Sequence, residues 1–367
     1  MATPAPLRLE GWTLDFYRLP YAHEVKWANA LEREGTFALL TLRAGGCEGV
    51  AEGTLKHTWS GVSPRVLAAA LEDVILPRLA GIDLGDAAAV SAAWRGVPEN
   101  TLAKTLADNA CWTLRAAVAG TPLWALWGGR RQVEIAWTVT RQPPSAMAAE
   151  CAQACARHGF RTLKVKGGQG LDTDLRALRE IRAAVGPSVE LYVDANSEYP
   201  AAEGADYVRA LAAEGVTLAE DPCPLEPGAA FEALQREVPL PILVDRSCAS
   251  SRDARLFLER GVRALSAKPG RVGLSETRAI AALAAAASAR VAVGLYAESL
   301  LGTLISLQQA AALAPALTIA AEQTFFMTMT GQVTATELPI RNGCVLLPDS
   351  AALAACVDRA AVRRYAL

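Results

Sequence analysis

The chain has 367 residues, a formal net charge of −2 and an apolar content of 52%. So even a charge balance gives no electrostatic ground for a nucleic acid or an anionic membrane surface as partner. The apolar content, much of it alanine, excludes a disordered chain, and the length suffices for a barrel of about 250 residues with a smaller domain beside it.

Trp12 to Leu19 and Phe37 to Leu42 read as strands of an antiparallel sheet. Ser63 before Pro64 reads as an N-cap opening a helix through Leu71, and further helices follow, the last over Leu102 to Val118 with Gly120 ending it. This first α+β domain is assigned to residues 1–128. From Val133 the rhythm becomes strand, helix, strand, helix, and residues 129–338 are assigned to a (β/α) barrel. Its predicted strands are Ile135–Thr140, Arg161–Lys166, Val189–Asp194, Val216–Glu220, Ile242–Asp245, Ala264–Lys268, Val291–Tyr296 and a last one near Glu322–Phe326. Residues 339–367 lack the rhythm and are expected to return to the first domain. Ser299 to Ala321 carries no formal charge and is long enough to span a bilayer, but Gln308, Gln309 and Pro315 interrupt it, so it is read as a buried barrel helix feeding the last strand.

The eight cysteines contain no CxxC pair and only three histidines are present. Zinc is therefore not expected, and the thiols read as free groups of a reducing cytoplasm. No basic, apolar, then small-residue segment opens the sequence, so no secretory leader is expected.

Most of the predicted barrel strands end in a charge. Lys164 and Lys166 close TLKVK, Asp194 closes LYVD, Glu220 closes VTLAE, Asp245 closes PILVD and Lys268 closes ALSAK, while Glu298 follows VAVGLYA. From Lys164 the steps are 30, 26, 25, 23 and 30 residues, the length of one strand, loop, helix and return. Charges at the C-terminal ends of barrel strands share one mouth. Asp194, Glu220 and Asp245 make a hard oxygen set suited to Mg²⁺ or Mn²⁺, although each acid alone also reads as a helix cap or a loop charge. Lys164 and Lys166 share one face of a strand, where mutual repulsion and a nearby cation would lower their pKa values toward those of a general base. Lys268 comes from the opposite side of the barrel.

With these residues in place the chain resembles the enolase superfamily, in its muconate lactonizing subgroup, and the resemblance covers nearly the whole sequence. It implies a modified TIM barrel, (β/α)7β, with an N-terminal α+β capping domain. It also implies metal ligation by Asp194, Glu220 and Asp245, with Lys166 and Lys268 exchanging protons on two faces of the carbon next to a carboxylate. Lys164 and the metal would hold the enolate. The segment from Gly294 to Thr303 resembles the cycloisomerase pattern after the seventh strand and places Glu298 in the site, with Tyr296 beside it. Leu55 to Ser63 resembles the substrate-covering loop and offers His57 and Trp59, the latter equally readable as a domain-interface anchor. Asn196 and Phe325 complete the expected substrate contacts.

Two departures stand out. Asp245 is followed by Arg246, where such enzymes usually carry a glutamate. Gln323-Thr324-Phe325-Phe326 lacks the Asp-x-Asp with which dipeptide epimerases hold an ammonium group. Lys268-Pro269-Gly270-Arg271-Val272-Gly273 lacks the Lys-Ser/Thr ending of a phosphate loop and is discounted as one. The expected function is a cycloisomerase of a cis,cis-muconate-like diacid, a homo-oligomer in the cytoplasm acting on a small carboxylate. A racemase or epimerase, a dehydratase, and a binding protein on a retired barrel are the alternatives.

Overall fold

The computed structural model describes residues 6–26 and 30–367. Three antiparallel strands, β1 (Gly11–Lys26), β2 (Leu31–Ala44) and β3 (Cys47–Leu55), form the first sheet in that order. The two-residue period of β2 serves both its faces. Phe37 and Leu39 pack with Tyr17 and Leu19 toward the barrel, and Ala38, Leu40 and Leu42 pack toward the cap's own helices. Ser63 accepts the Val66 amide and opens a helix over Pro64–Ala69. The long helix α1 (Thr101–Ala119) crosses β3 and ends on left-handed Gly120.

The second sheet contains eight parallel strands. They are β5 (Trp137–Val139), β6 (Thr162–Lys166), β7 (Glu190–Asp194), β8 (Ala219–Glu220), β9 (Ile242–Val244), β10 (Ala264–Ala267), β11 (Arg290–Val293) and β12 (Thr318–Ile319), preceded by a short β4 (Gln132–Glu134). Sheet order follows chain order, and the helices α2 (Pro144–His158), α3 (Leu171–Val185), α4 (Gly204–Ala213), α5 (Ala229–Glu237), α6 (Ser251–Leu258), α7 (Leu274–Ala286) and α8 (Leu300–Ala311) lie between successive strands. This is the (β/α)7β plan. The curl closes at a short seam: Ile135 bridges Ala321 in parallel, with the Ala136 amide on the Ala321 carbonyl and the Ala321 amide on the Glu134 carbonyl, both 2.9 Å. Ala136, Ala264, Ala292 and Ala320 line a separate interior cluster together with Tyr192, Leu218, Leu243 and Ile319.

The last strand differs from expectation. Helix α8 stops at Ala311, Pro315 opens a 3-10 turn through Leu317, β-branched Thr318 and Ile319 pair with Val291 and Ala292, and Phe325–Thr328 forms another 3-10 turn. The uncharged stretch from Ser299 is therefore helix α8 followed by β12, and among the described residues no helix is long and apolar enough to cross a membrane. The sequence reading also missed β3. All eight cysteines are free thiols.

Helix α1 belongs to the cap but grips the barrel. Asn109 donates to the Pro269 carbonyl at 3.1 Å and accepts the Leu274 amide at 2.8 Å, and Asp108 accepts the Ser275 amide at 2.7 Å. These bonds hold the loop that follows β10. Beyond residue 338, β13 (Cys344–Leu346) pairs with β4, and the Arg18 amide of the cap bonds to the Tyr365 carbonyl at 2.9 Å.

Close approach of α1 to β3 requires Gly49, since a β-carbon there would fall on the Ala110 carbonyl oxygen and lie 2.5 Å from the Leu114 β-carbon. Neither neighbour is a flexible chain end. Gly49→Ala should therefore cost about 1–3 kcal/mol through forced separation of helix and sheet. Gly96→Ala, with nothing nearby, should leave the urea midpoint almost unchanged. Equal midpoints in the two variants would refute the tight contact.

Candidate active site

Parallel register places the charges in rows. Lys166 pairs with Asp194 and Asp194 with Glu220, so three charged residues stand side by side at the C-terminal ends of β6, β7 and β8. Lys164, two residues earlier, faces the same interior. Its Nζ lies 3.0 Å from Asp194, 2.7 Å from Glu220 and 2.9 Å from Glu322. Burial alone would push the Lys164 pKa down, but these three carboxylates together hold it well above the ordinary lysine value. With no divalent cation present, their attraction outweighs the repulsion of the neighbouring Lys166 ammonium and favours a charged Lys164.

Asp194 is buried, yet Lys164 and Lys166 overcome the cost and hold its carboxyl well below the usual range. Glu220 is pushed well up, first by burial and then by the charges of Asp194 and Glu322. Lys166 donates to Asp194 at 2.6 Å and to Asn196 at 3.1 Å, with 24% of its side chain exposed. Lys268 stands four strands away across the barrel and donates to Asp245 at 2.5 Å. Burial of Asp245 is outweighed by Lys268 and Arg271, which hold its carboxyl low.

Among the described residues no group of three or more such side chains stands in metal-holding geometry. The carboxylates are closed onto ammonium groups instead. Their chemistry nevertheless fits a hard divalent cation. Two buried oxygens, Glu220 Oε2 and Asp245 Oδ1, accept no well-aligned hydrogen bond although Lys164 and Arg271 lie 2.7 and 3.3 Å from them. Such acceptors gain most from a cation.

Glu298, 2% exposed, lies on the loop after β11. Its carboxyl accepts the Tyr296 amide at 2.5 Å and the Ser306 hydroxyl at 3.3 Å. Burial pushes its pKa up to about 7, with the charge of Glu52 adding to the rise and Lys268 opposing it. Trp59, carried on the helical turn His57–Ser60, brings its ring centroid to 5.3 Å from that of Tyr296, so the cap meets the barrel mouth there. His57 is exposed on the same turn. Phe325 packs edge-on against Tyr21 of the cap, at 5.5 Å.

Arg246 is exposed and only its amide is engaged, by Asp221 at 2.9 Å. The positive charge beside Asp245 comes from Arg271, within the segment discounted as a phosphate loop. Three acids escaped the sequence reading. Glu322 closes the apolar run LTIAA 24 residues after Glu298, so the same rhythm contained it, but a strand assigned to start there concealed its place. Asp221 sits behind Glu220 with a left-handed φ of 37° and accepts the Asp245 amide at 3.1 Å. Nothing in sequence spacing marks it. Glu52 lay in the unrecognised β3.

Two family models match the chain. The mandelate racemase / muconate lactonizing enzyme N-terminal domain covers residues 18–128, and the enolase C-terminal domain-like model covers residues 146–361. An N-succinylamino acid racemase of Thermus thermophilus is 31% identical over 271 residues, 73% of this chain and 72% of that protein. A chloromuconate cycloisomerase of Cupriavidus necator is 26% identical over 367 residues, 98% of this chain and 99% of that one. In structure, the muconate lactonizing enzyme from Mucobacterium Smegmatis complexed with muconolactone superposes with a TM-score of 0.91. That match spans 98% of this chain and 100% of the other at 22% identity, which speaks to the fold.

The raised Glu298 pKa has a measurable sign. The ordinary carboxyl value of 4.5 becomes about 7 on folding, so the folded state holds this proton more tightly than the unfolded chain. The resulting stability is fully present below pH 4.5 and is lost as pH rises through 7. Compared with Glu298→Gln, the wild type should lose on the order of 3 kcal/mol across that window. Parallel stability curves for the two proteins would contradict it.

Proposed function

The chain belongs to the enolase superfamily, in its mandelate racemase and muconate lactonizing enzyme branch, and from that premise we propose that it is an isomerase closing a cis,cis-muconate-like diacid to its lactone. The reading rests chiefly on the paired lysines, Lys166 and Lys268, anchored by Asp194 and Asp245 on opposite sides of the barrel. In this reaction one substrate carboxylate oxygen adds to the far carbon of the double bond conjugated with the other carboxylate. The C–O bond forms, the π pair moves onto that second carboxylate as an enediolate, and the Lys166 ammonium delivers a proton to the α-carbon. Lys164, buried and cationic, contributes positive charge beneath the enediolate, and Lys268 borders the other face. Glu298, in its protonated form, donates a hydrogen bond toward developing negative charge. Asp194, Glu220 and Asp245 would hold Mg²⁺ or Mn²⁺, whose Lewis acidity polarises the substrate carboxylate.

The acids near the last strand favour a substrate without an ammonium group. Glu322 is taken up by Lys164 and by the Tyr192 hydroxyl at 2.8 Å, and the turn that follows presents Phe325 and Phe326. A racemase reading keeps one observation on its side, since two lysines facing each other across the site also suit proton transfer on both faces of an α-carbon, and the Thermus thermophilus relative is named for such a reaction.

Two outcomes are expected. Chelator treatment should abolish turnover and lower the melting temperature, with Mg²⁺ or Mn²⁺ restoring both; full activity after metal removal would exclude the assigned carboxylate role. Incubated with cis,cis-muconate, the wild type should consume the diene and, in deuterated water, place one deuteron on the carbon next to the lactone's free carboxylate. Lys166→Ala should fold normally and lose at least about a thousandfold in turnover. Failure to consume any muconate, with equilibration of a chiral N-acylamino acid, would transfer the assignment to the racemase reading.

A further inference from the structure

Glu52 comes from β3 of the cap, yet its carboxyl is sealed against the barrel with 2% exposure. Four donors converge on it: the Tyr17 hydroxyl, the Ser299 hydroxyl, the Ser299 amide at 2.8 Å and the Gly302 amide. Ser299 is the N-cap of α8 and Gly302 lies in its first turn, so a negative charge on Glu52 also meets the positive end of a helix. Burial raises the Glu52 pKa on balance, and these donors offset part of that rise by stabilising its charged form.

The Glu298 side chain is its neighbour across Gly302, and the charge of Glu52 acts on its carboxyl. A β-carbon on that glycine would lie 2.6 Å from Glu52 Oε1 and 2.8 Å from the Glu298 β-carbon. Two buried carboxylates on either side of one glycine cannot both carry charge cheaply. Glu52 has four donors and a helix end, whereas Glu298 has three: the Tyr296 amide, its own amide and the Ser306 hydroxyl at 3.3 Å. The other titratable groups facing this space are Tyr17 behind Glu52, Tyr296 on the same loop, and Lys268, whose ammonium is committed to Asp245.

We propose that Glu52 is a positioning residue: the carboxylate of the cap locks the loop after β11 and supplies the fixed negative charge against which Glu298 keeps its proton. The hydrogen-bond donor of the barrel is thus completed only when the cap is docked. This deepens the reading above, because it assigns a task to a residue of the other domain in the same site.

The test needs no substrate. Infrared titration of the protonated carboxyl band, assigned by its disappearance in Glu298→Gln, reads the Glu298 midpoint directly. Glu52→Gln preserves shape and removes the charge, so the midpoint should fall by about one pH unit or more. Tyr17→Phe removes one donor from Glu52 and should shift it in the same direction by less, which keeps the test decisive if Glu52→Gln does not fold. An unmoved midpoint in the folded variants overturns the proposal. Loss of muconate turnover in the wild type with the infrared shift intact would refute the reaction and leave the Glu52 assignment standing.

Discussion

An ammonium group with no access to water, set among Asp194, Glu220 and Glu322, is the constraint from which the rest of the site follows. Lys164 would be expelled from an apolar barrel, and three carboxylates there would repel one another; together they are tolerable. Deleting one member of such a set typically costs about 3–5 kcal/mol, because the charges left behind remain buried. The cluster is therefore both electrostatic machinery and structural core. Its members come from β6, β7, β8 and the segment after β12, so the charge balance fastens strands that are distant in the chain.

The two domains divide the work. Parallel register fixes the lysines and acids, and their positions follow from backbone pairing rather than from loop conformation. The cap contributes surfaces that reach over the mouth, with Trp59 against Tyr296 and Tyr21 against Phe325. Helix α1 grips the loop after Lys268 through Asp108 and Asn109, and Glu52 grips the loop after β11. Loop variation in the cap can thus change what is bound while the charged row remains in place, consistent with relatives named for different reactions.

Much of the architecture was legible because a βα unit has a nearly fixed length, and a charge ending each apolar run marks that period. Asp194, Glu220, Asp245, Lys166 and Lys268 all occupy the mouth by this logic. Legibility failed where tertiary pairing overrode local signals. The segment CEGVAEGTL contains two glycines and two glutamates and has little strand character of its own; β2 and α1 supply the pairing and burial that make it β3. Glu322 was hidden by a misplaced strand boundary. Spacing locates charges along the chain, whereas the protonation of Lys164 depends on how many opposite charges converge on it in space, and Glu322 was not among those the spacing counted.

The barrel behaves as a hoop with one thin joint. Along most of its circumference adjacent staves share register, but between β12 and β5 the described backbone joins through the Ile135–Ala321 bridge and its two flanking hydrogen bonds. The Lys164–Glu322 ion pair reaches from β6 past β5 to the far side of that joint, acting as a strap laid across it. Electrostatics and topology are consequently one problem here. A change that neutralised this lysine would disturb the charges and also release tension on the joint, so that opening of the hoop would begin where the backbone holds it least.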